Sequence, residues 1–264
     1  MSEAIFETLV SLHRNGQSGV LCTIISSKGS TPRHIGSKML VTANGDVFGT
    51  VGGGEMEQRV IEEAQQALAE GAARILSYEL NDPGKGDPGV CGGQVEVFVE
   101  PVLAKPTLVV VGGGHVGKAV AHLAKWLDFG VIVSDDRPEF ASREAVPAGD
   151  RFIPGLMSEL PEEINISPQT YLVLCTRNVT IDVAGLPSLL QTPAAYIGII
   201  GSKRRWETTR RHLLEQGIAK GDLDRVVSPM GLELNAETPE EIAVSIMAEI
   251  IMLRRGGDGR RMHD

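Results

Sequence analysis

Cysteine is scarce. Three thiols in 264 residues, Cys22, Cys91 and Cys175, cannot build a disulfide framework, and their spacing matches no zinc pattern. Long apolar runs are missing as well: none approaches the roughly 18 residues that a membrane-spanning helix needs, so no membrane partner is expected. The opening residues, MSEAIFETLV, carry acids where a secretory leader carries Lys or Arg, which predicts a cytoplasmic location. Positive charge is in deficit, 25 Lys and Arg against 34 Asp and Glu, a net of −9. A nucleic-acid binder needs clustered cations to neutralise phosphates, so no nucleic-acid partner is expected. Aromatic side chains are only 4% of the chain. Disorder does not follow, because a hydrophobic fraction of 42% offers ample apolar surface to offset chain entropy.

What is abundant is glycine: 31 residues, gathered in packets with no collagen or linker period. Such packets at loop positions suggest backbone that approaches a ligand closely. Between them the chain reads as two modules. Residues 3–15 form an amphipathic helix with Ile5, Phe6, Leu9, Val10 and His13 near one face. Strands follow over 20–26, 38–42 and 47–51, the last two joined by an Asn44-Gly45 turn. A helix with Val60, Ile61, Ala64, Ala67 and Leu68 inward stops at Gly71, and strands over 74–80 and 94–100 complete an α+β domain, 1–101. A linker, 102–106, leads to alternating strands and helices: strands 108–111, 131–134, 171–176 and 196–200, helices 115–128 and 203–216. Wholly apolar strands in that alternation imply a Rossmann-like α/β domain, 107–255, with a parallel sheet and helices on both faces. A helix opened by Thr238-Pro239-Glu240-Glu241, a capping-box layout, closes it, and 256–264 reads as a mobile tail.

Four places carry chemistry. In Gly112-Gly113-Gly114-His115-Val116-Gly117, Gly112 permits the tight turn after a strand, Gly114 lets backbone approach an anion, and Gly117 lets helix pack on strand. The helix start offers unpaired N–H groups to a phosphate-bearing nucleotide or pterin, and Asp135 falls where a ribose-binding carboxylate belongs. His115 either contacts that phosphate, serves chemistry or simply starts the helix. A second packet, ending Gly201-Ser202 before Lys203, Arg204 and Arg205, puts cations where the helix dipole disfavours them. An anion docking there would explain them, and so would a solvated basic face. The third combines Ser30, Thr31 and Arg33, donors on a loop stiffened by Pro32, with Gly52-Gly53-Gly54, either an anion cradle or only a sharp turn. Fourth, Cys91 sits among small neighbours that leave its sulfur reachable, as a soft-metal ligand or sulfur carrier. Cys22 and Cys175, within apolar strands, read as inert core residues.

These packets, in order, resemble the xanthine dehydrogenase accessory protein family (XdhC/CoxI). The resemblance rests on Gly29-Ser30-Thr31-Pro32-Arg33, Gly49 to Gly54 with Met56-Glu57, Cys91-Gly92-Gly93, the Gly112 to Gly117 turn, Asp135-Asp136-Arg137-Pro138-Glu139-Phe140, Tyr196 to Ser202, and Thr238 to Ala243. It implies a molybdenum cofactor chaperone rather than an enzyme. Such a protein binds the cofactor, as molybdopterin or its dinucleotide form, supports its sulfuration by a cysteine desulfurase, and inserts it into a xanthine-dehydrogenase-type molybdenum hydroxylase. A homodimer is expected. One departure stands out: many relatives carry Thr-x-x-His-x-x-Asp, whereas Thr176 to Asp182 places Val179 at the His position. Two other readings compete, an NAD(P)-dependent oxidoreductase built on the Gly112 turn, with Asp135 favouring NAD, and a nucleotide-sensing regulatory protein.

Overall fold

In the computed structural model, which describes residues 2–80 and 92–263, the chain divides into two compact units, Met1–Ala104 and Lys105–Asp264. In the first, strands β1 (Gly19–Lys28), β2 (Lys38–Thr42), β3 (Val47–Gly49), β4 (Arg74–Glu79) and β5 (Gln94–Val102) form one antiparallel sheet in the order β3-β2-β1-β5-β4. Period-two alternation sends Val20, Cys22 and Ile24, Met39 and Val41, and Val95, Val97 and Val99 to one face. Helix α2 (Gly54–Glu70) covers that face with Met56, Val60, Ala64 and Ala67. Cys22, opposite Met39 and Val99, is a core residue, and burial pushes its thiol up to about 12.

Helix α1 (Ser2–Arg14) forms as the periodicity requires but turns a different stripe inward. Ile5 is buried and Leu9 and Leu12 partly so, while Phe6 and Val10, expected inside, are 46% and 48% exposed and His13 is exposed. Both stripes have helical spacing, so only the sheet beneath decides between them.

The second unit holds six strands: β6 (Thr107–Val111), β7 (Gly130–Asp135), β8 (Arg151–Pro154), β9 (Thr170–Leu174), β10 (Tyr196–Ile199) and β11 (Val226–Val227). All pair in parallel, in the order β11-β10-β9-β6-β7-β8. Counted from β6, that is the doubly wound dinucleotide-fold order, with its switch point between β6 and β9. Alternate residues serve two cores. Leu108, Val110, Tyr171 and Val173 pack against α3 (His115–Trp126) and α8 (Pro239–Arg255). Val109, Val111, Leu172, Leu174, Ile197 and Ile199 pack on the other face, with Leu186 and Leu189 of α5 (Val179–Leu190) and Leu213 of α6 (Lys203–Glu215). Short helices α4 (Leu160–Glu163) and α7 (Lys220–Leu223) add Leu160 and Leu223 to that layer. The expected box opens α8: Thr238 accepts from the Glu241 amide, and Glu241 accepts from the Thr238 amide.

Candidate functional site

Three glycine motifs distant in sequence meet in the first unit. A Cβ on Gly93 would lie 2.3 Å from the Ser30 carbonyl oxygen and 2.7 Å from Thr31 Cγ2, and one on Gly29 would lie 2.9 Å from the Gly92 carbonyl oxygen. On Gly52 it would lie 3.0 Å from Pro32 Cγ. The loop of Ser30, Thr31 and Arg33 therefore rests on both the Gly52 turn and the Gly92-Gly93 pair. Cys91, one residue before that pair, lies outside the described residues. The Thr31 hydroxyl is within 2.7 Å of Ser27 Oγ and donates to the Arg33 carbonyl, while Ser30 and Arg33 are exposed.

Gly52, Gly53 and Gly54 all have positive φ, +148°, +78° and +67°, and the turn they make brings the Val51 and Gly53 amides to one point. An anion sits there, and it belongs to the chain. Glu57 Oε2 accepts from Thr50 Oγ1, from the Val51 amide at 3.0 Å and from the Gly53 amide at 3.1 Å. Burial opposes ionisation of Glu57, but the Thr50 hydroxyl and the amides of Gly53, Val51 and Gly52 outweigh it and hold the carboxyl below its ordinary value. Reading the glycines alone misses this. The signal was a Glu in the first turn of the helix that follows, where the dipole favours negative charge.

In the second unit the Gly112 turn joins β6 to α3. Gly112 has φ +109°, and a Cβ on it would lie 2.5 Å from the Cys175 carbonyl oxygen; on Gly117 it would lie 1.9 Å from the Gly112 carbonyl oxygen. Both glycines are thus required by packing at the switch point. Gly114 differs: it starts α3 without a side-chain cap, and no atom lies within 4 Å of where its Cβ would be. His115 is exposed beside it.

A crevice opens at this end of the sheet, lined by Gly112, Asp135, Asp136, Arg137, Cys175 and Arg177 among others. It is narrow: it encloses only about 20 Å³, room for about one water and far below the roughly 300–1,000 Å³ of small-molecule sites, so a ligand has to widen it. Asp135, 3% exposed, is fully engaged. Its Oδ1 accepts from the Arg137 amide at 3.0 Å and Nε at 2.9 Å, and its Oδ2 from the Gly113 amide and Arg137 Nη2, both at 3.0 Å. Arg137 also stacks over Phe140, 3.8 Å from the ring centre. Asp136 pairs with Arg177 through two bonds of 2.5 and 2.6 Å, which hold its carboxyl at about 2. Before Asp135 on β7, fully buried Ser134 has an Oγ with no hydrogen-bond partner among the described residues.

Gly201 and Ser202 lie at the start of α6, and Ser202 caps it by accepting from the Arg205 amide. The basic first turn has an internal explanation at one position. Arg205 donates to the wholly buried Asp182 through Nε at 3.1 Å and Nη2 at 2.7 Å, and to the Thr176 hydroxyl and carbonyl; Thr176 donates in turn to Asp182. Lys203 and Arg204 are exposed. Thr176 and Asp182, the ends of the Thr-x-x-His-x-x-Asp pattern, therefore anchor Arg205, and Val179 starts α5.

Cys175 lies one residue past β9 rather than within it; it packs against the core as expected and burial pushes its thiol up to about 12, while it also lines the crevice. Among the described residues no cluster of three His, Cys, Asp or Glu is arranged for a metal ion. For an anionic phosphate end the crevice offers Arg177, since Arg137 is spent on Asp135, and the Gly112 turn on its wall leads to the uncapped start of α3.

Two family models match the chain: the XdhC Rossmann domain over residues 108–250, and the XdhC and CoxI family over residues 12–79. Among curated proteins, the uncharacterized protein YqeB of Escherichia coli (strain K12) is 34% identical over 98% of this chain and 48% of its own length. A protein of Bacillus subtilis (strain 168) described as a probable xanthine dehydrogenase subunit is 33% identical over 60% of this chain and 46% of its own. The chain thus spans about half the length of these two relatives. The molybdenum cofactor insertion chaperone PaoD of Escherichia coli (strain K12) is 22% identical over 91% of this chain and 85% of its own. A crystal structure described as a xanthine dehydrogenase from Bacillus halodurans superposes with a TM-score of 0.52, at 25% identity and 96% coverage of both chains. With one model matching more than half of its residues and another matching the first unit, the chain belongs to the XdhC and CoxI family.

Proposed function

We propose that this chain is a molybdenum cofactor chaperone in the service of a xanthine-dehydrogenase-type hydroxylase. It binds the cofactor, protects it during sulfuration by a cysteine desulfurase, and passes it on without turnover of its own. The observation that carries this reading is the switch-point crevice, where accessible Arg177 suits the phosphate of a pterin cofactor and the Gly112 turn leads to the uncapped start of α3. The likeness to PaoD supports it.

In this reading the anionic end is held by Gly114 and His115 at the start of α3, next to the Gly112 turn, while Gly117 and Asp135 serve packing and internal hydrogen bonds. Gly201 and Ser202, at the start of α6, are further candidates; in the first unit, Ser30, Thr31 and Arg33 are separate candidate contacts and Cys91 a candidate metal ligand, whereas the Gly52–Gly54 turn is already filled by Glu57. When bound, the cofactor supplies molybdenum redox chemistry, which is exercised in the acceptor enzyme. The chain's own residues bind, orient and shield it. The working form is a cytoplasmic homodimer.

Protein made in cells with an active cofactor pathway carries molybdenum and a pterin that fluoresces after oxidation. Cys91→Ala keeps the fold and loses the metal. Protein that contains neither molybdenum nor pterin, and binds no added cofactor at micromolar concentration, overturns the reading. A second reading has its own observation: the strand order also suits NAD, although Asp135, expected to meet the ribose, is instead spent on Arg137 and Gly113. A nicotinamide titration with turnover of a small alcohol or acid decides for it.

A further inference from the structure

Two cations line the crevice of the second unit, and they are held differently. Arg137 is committed: it bonds both oxygens of buried Asp135 and stacks on Phe140. Among the described residues Arg177 has one partner, Asp136, and both side chains are accessible, 43% and 27% exposed. The pair joins separate strand ends. Asp136 follows β7, Arg177 comes three residues after β9, and both line the crevice. An accessible pair of this kind adds only about 0–1 kcal/mol to stability, so the fold does not need it. A phosphoryl group presents more charge and more acceptor oxygens than one carboxylate, in a geometry that a guanidinium matches at two points.

We propose that Arg177 is the phosphoryl-recognising residue of this crevice and that Asp136 is the gate holding it back. The ligand class is a phosphomonoester or pyrophosphate end, whether on a free nucleotide or on the cofactor. The inference rests on the reading of the crevice as an anion site and adds how that site is guarded. Ligand entry exchanges one Arg177 bond pair for another, and leaves Asp136 to solvent.

The clasp predicts opposite signs for its two halves. Inorganic pyrophosphate binding is measured by calorimetry at low ionic strength on the full chain. Asp136→Asn removes the competitor for Arg177 and tightens binding about fivefold, whereas Arg177→Gln weakens it about tenfold or more. In the double variant the gain from Asp136→Asn disappears, because no guanidinium remains to be released. The proposal is overturned if Asp136→Asn weakens binding, if its gain persists without Arg177, or if the wild-type chain fails to bind pyrophosphate at millimolar concentration. If a substitution unfolds the unit, the wild-type protein still decides. The Arg177 Nε–H resonance, identified through Arg177→Lys, shifts during the titration, and a resonance that stays put refutes the gate.

ADP and cofactor arms separate the ligand's source. The sign pattern with pyrophosphate and ADP, but no copurifying molybdopterin, sustains the gate and removes the cofactor reading. Copurifying cofactor that is indifferent to both substitutions does the reverse.

Discussion

Removing Arg205 should be among the costliest single changes in the second unit. Its guanidinium sits over Asp182, a carboxylate with no solvent exposure whose other hydrogen-bond partner among the described residues is the Thr176 hydroxyl. Arg205→Met keeps most of the side-chain volume and leaves that charge buried without a counterion. Breaking one side of such a pair costs about 3–5 kcal/mol, where an exposed pair would cost at most about 1. With a urea slope of about 2 kcal/mol per molar for a unit of this size, the unfolding midpoint should fall by about 1.5–2.5 M. Tryptophan fluorescence reports on the right unit, since Trp126 and Trp206 both belong to it, and half-buried Trp206 packs against the core beside α5. Replacing both partners, Arg205→Met with Asp182→Leu, should restore at least about 2 kcal/mol, because no orphaned charge remains. A midpoint shift under about 0.5 M, or a double variant no better than the single, would refute the reasoning. Arg205 would then be free to meet a ligand.

Two further outcomes follow from the sites. Glu57→Gln removes the carboxylate from the Gly53 turn and should cost about 1–2 kcal/mol at neutral pH, at the low end for charged hydrogen bonds because the group is partly exposed. Because folding lowers the Glu57 value, its contribution is complete above the ordinary glutamate range and fades as pH falls through the folded value; in thermal melts, wild type and variant should converge in acid, and a gap that widens there contradicts the nest. Burial pushes both Cys22 and Cys175 up to about 12, so a thiol reagent at pH 8 should label one cysteine per native chain, Cys91; prompt labelling of Cys175 would show that the crevice opens readily.

Much of the fold is legible from periodicity and punctuation. The alternating strands around Cys22 and Val97, the Asn44-Gly45 turn, the capped start of α8 and the apolar strands flanking Gly112 all occur where expected. What escapes has physical causes. β8 is four residues at a sheet edge with little alternation, and α5 is apolar almost all round, interrupted by Gly185 and Pro187, so it has no amphipathic stripe to read. The two-residue β11 and the single-turn α4 and α7 are too short for a period. At the sites, glycine marked the turns, but their internal partners depended on long-range geometry. That Asp135 would be saturated by Arg137 and Gly113, or that Arg177 would reach across 41 residues to Asp136, is set by parallel pairing of β6, β7 and β9 rather than by local pattern.

The most direct test of the account is delivery. Cofactor-loaded chain, mixed with a cofactor-free xanthine-dehydrogenase-type hydroxylase, should transfer its molybdenum and raise the acceptor's activity faster than an equal amount of free cofactor. Molybdenum that stays with the chain, or activation no faster than with free cofactor, would contradict it.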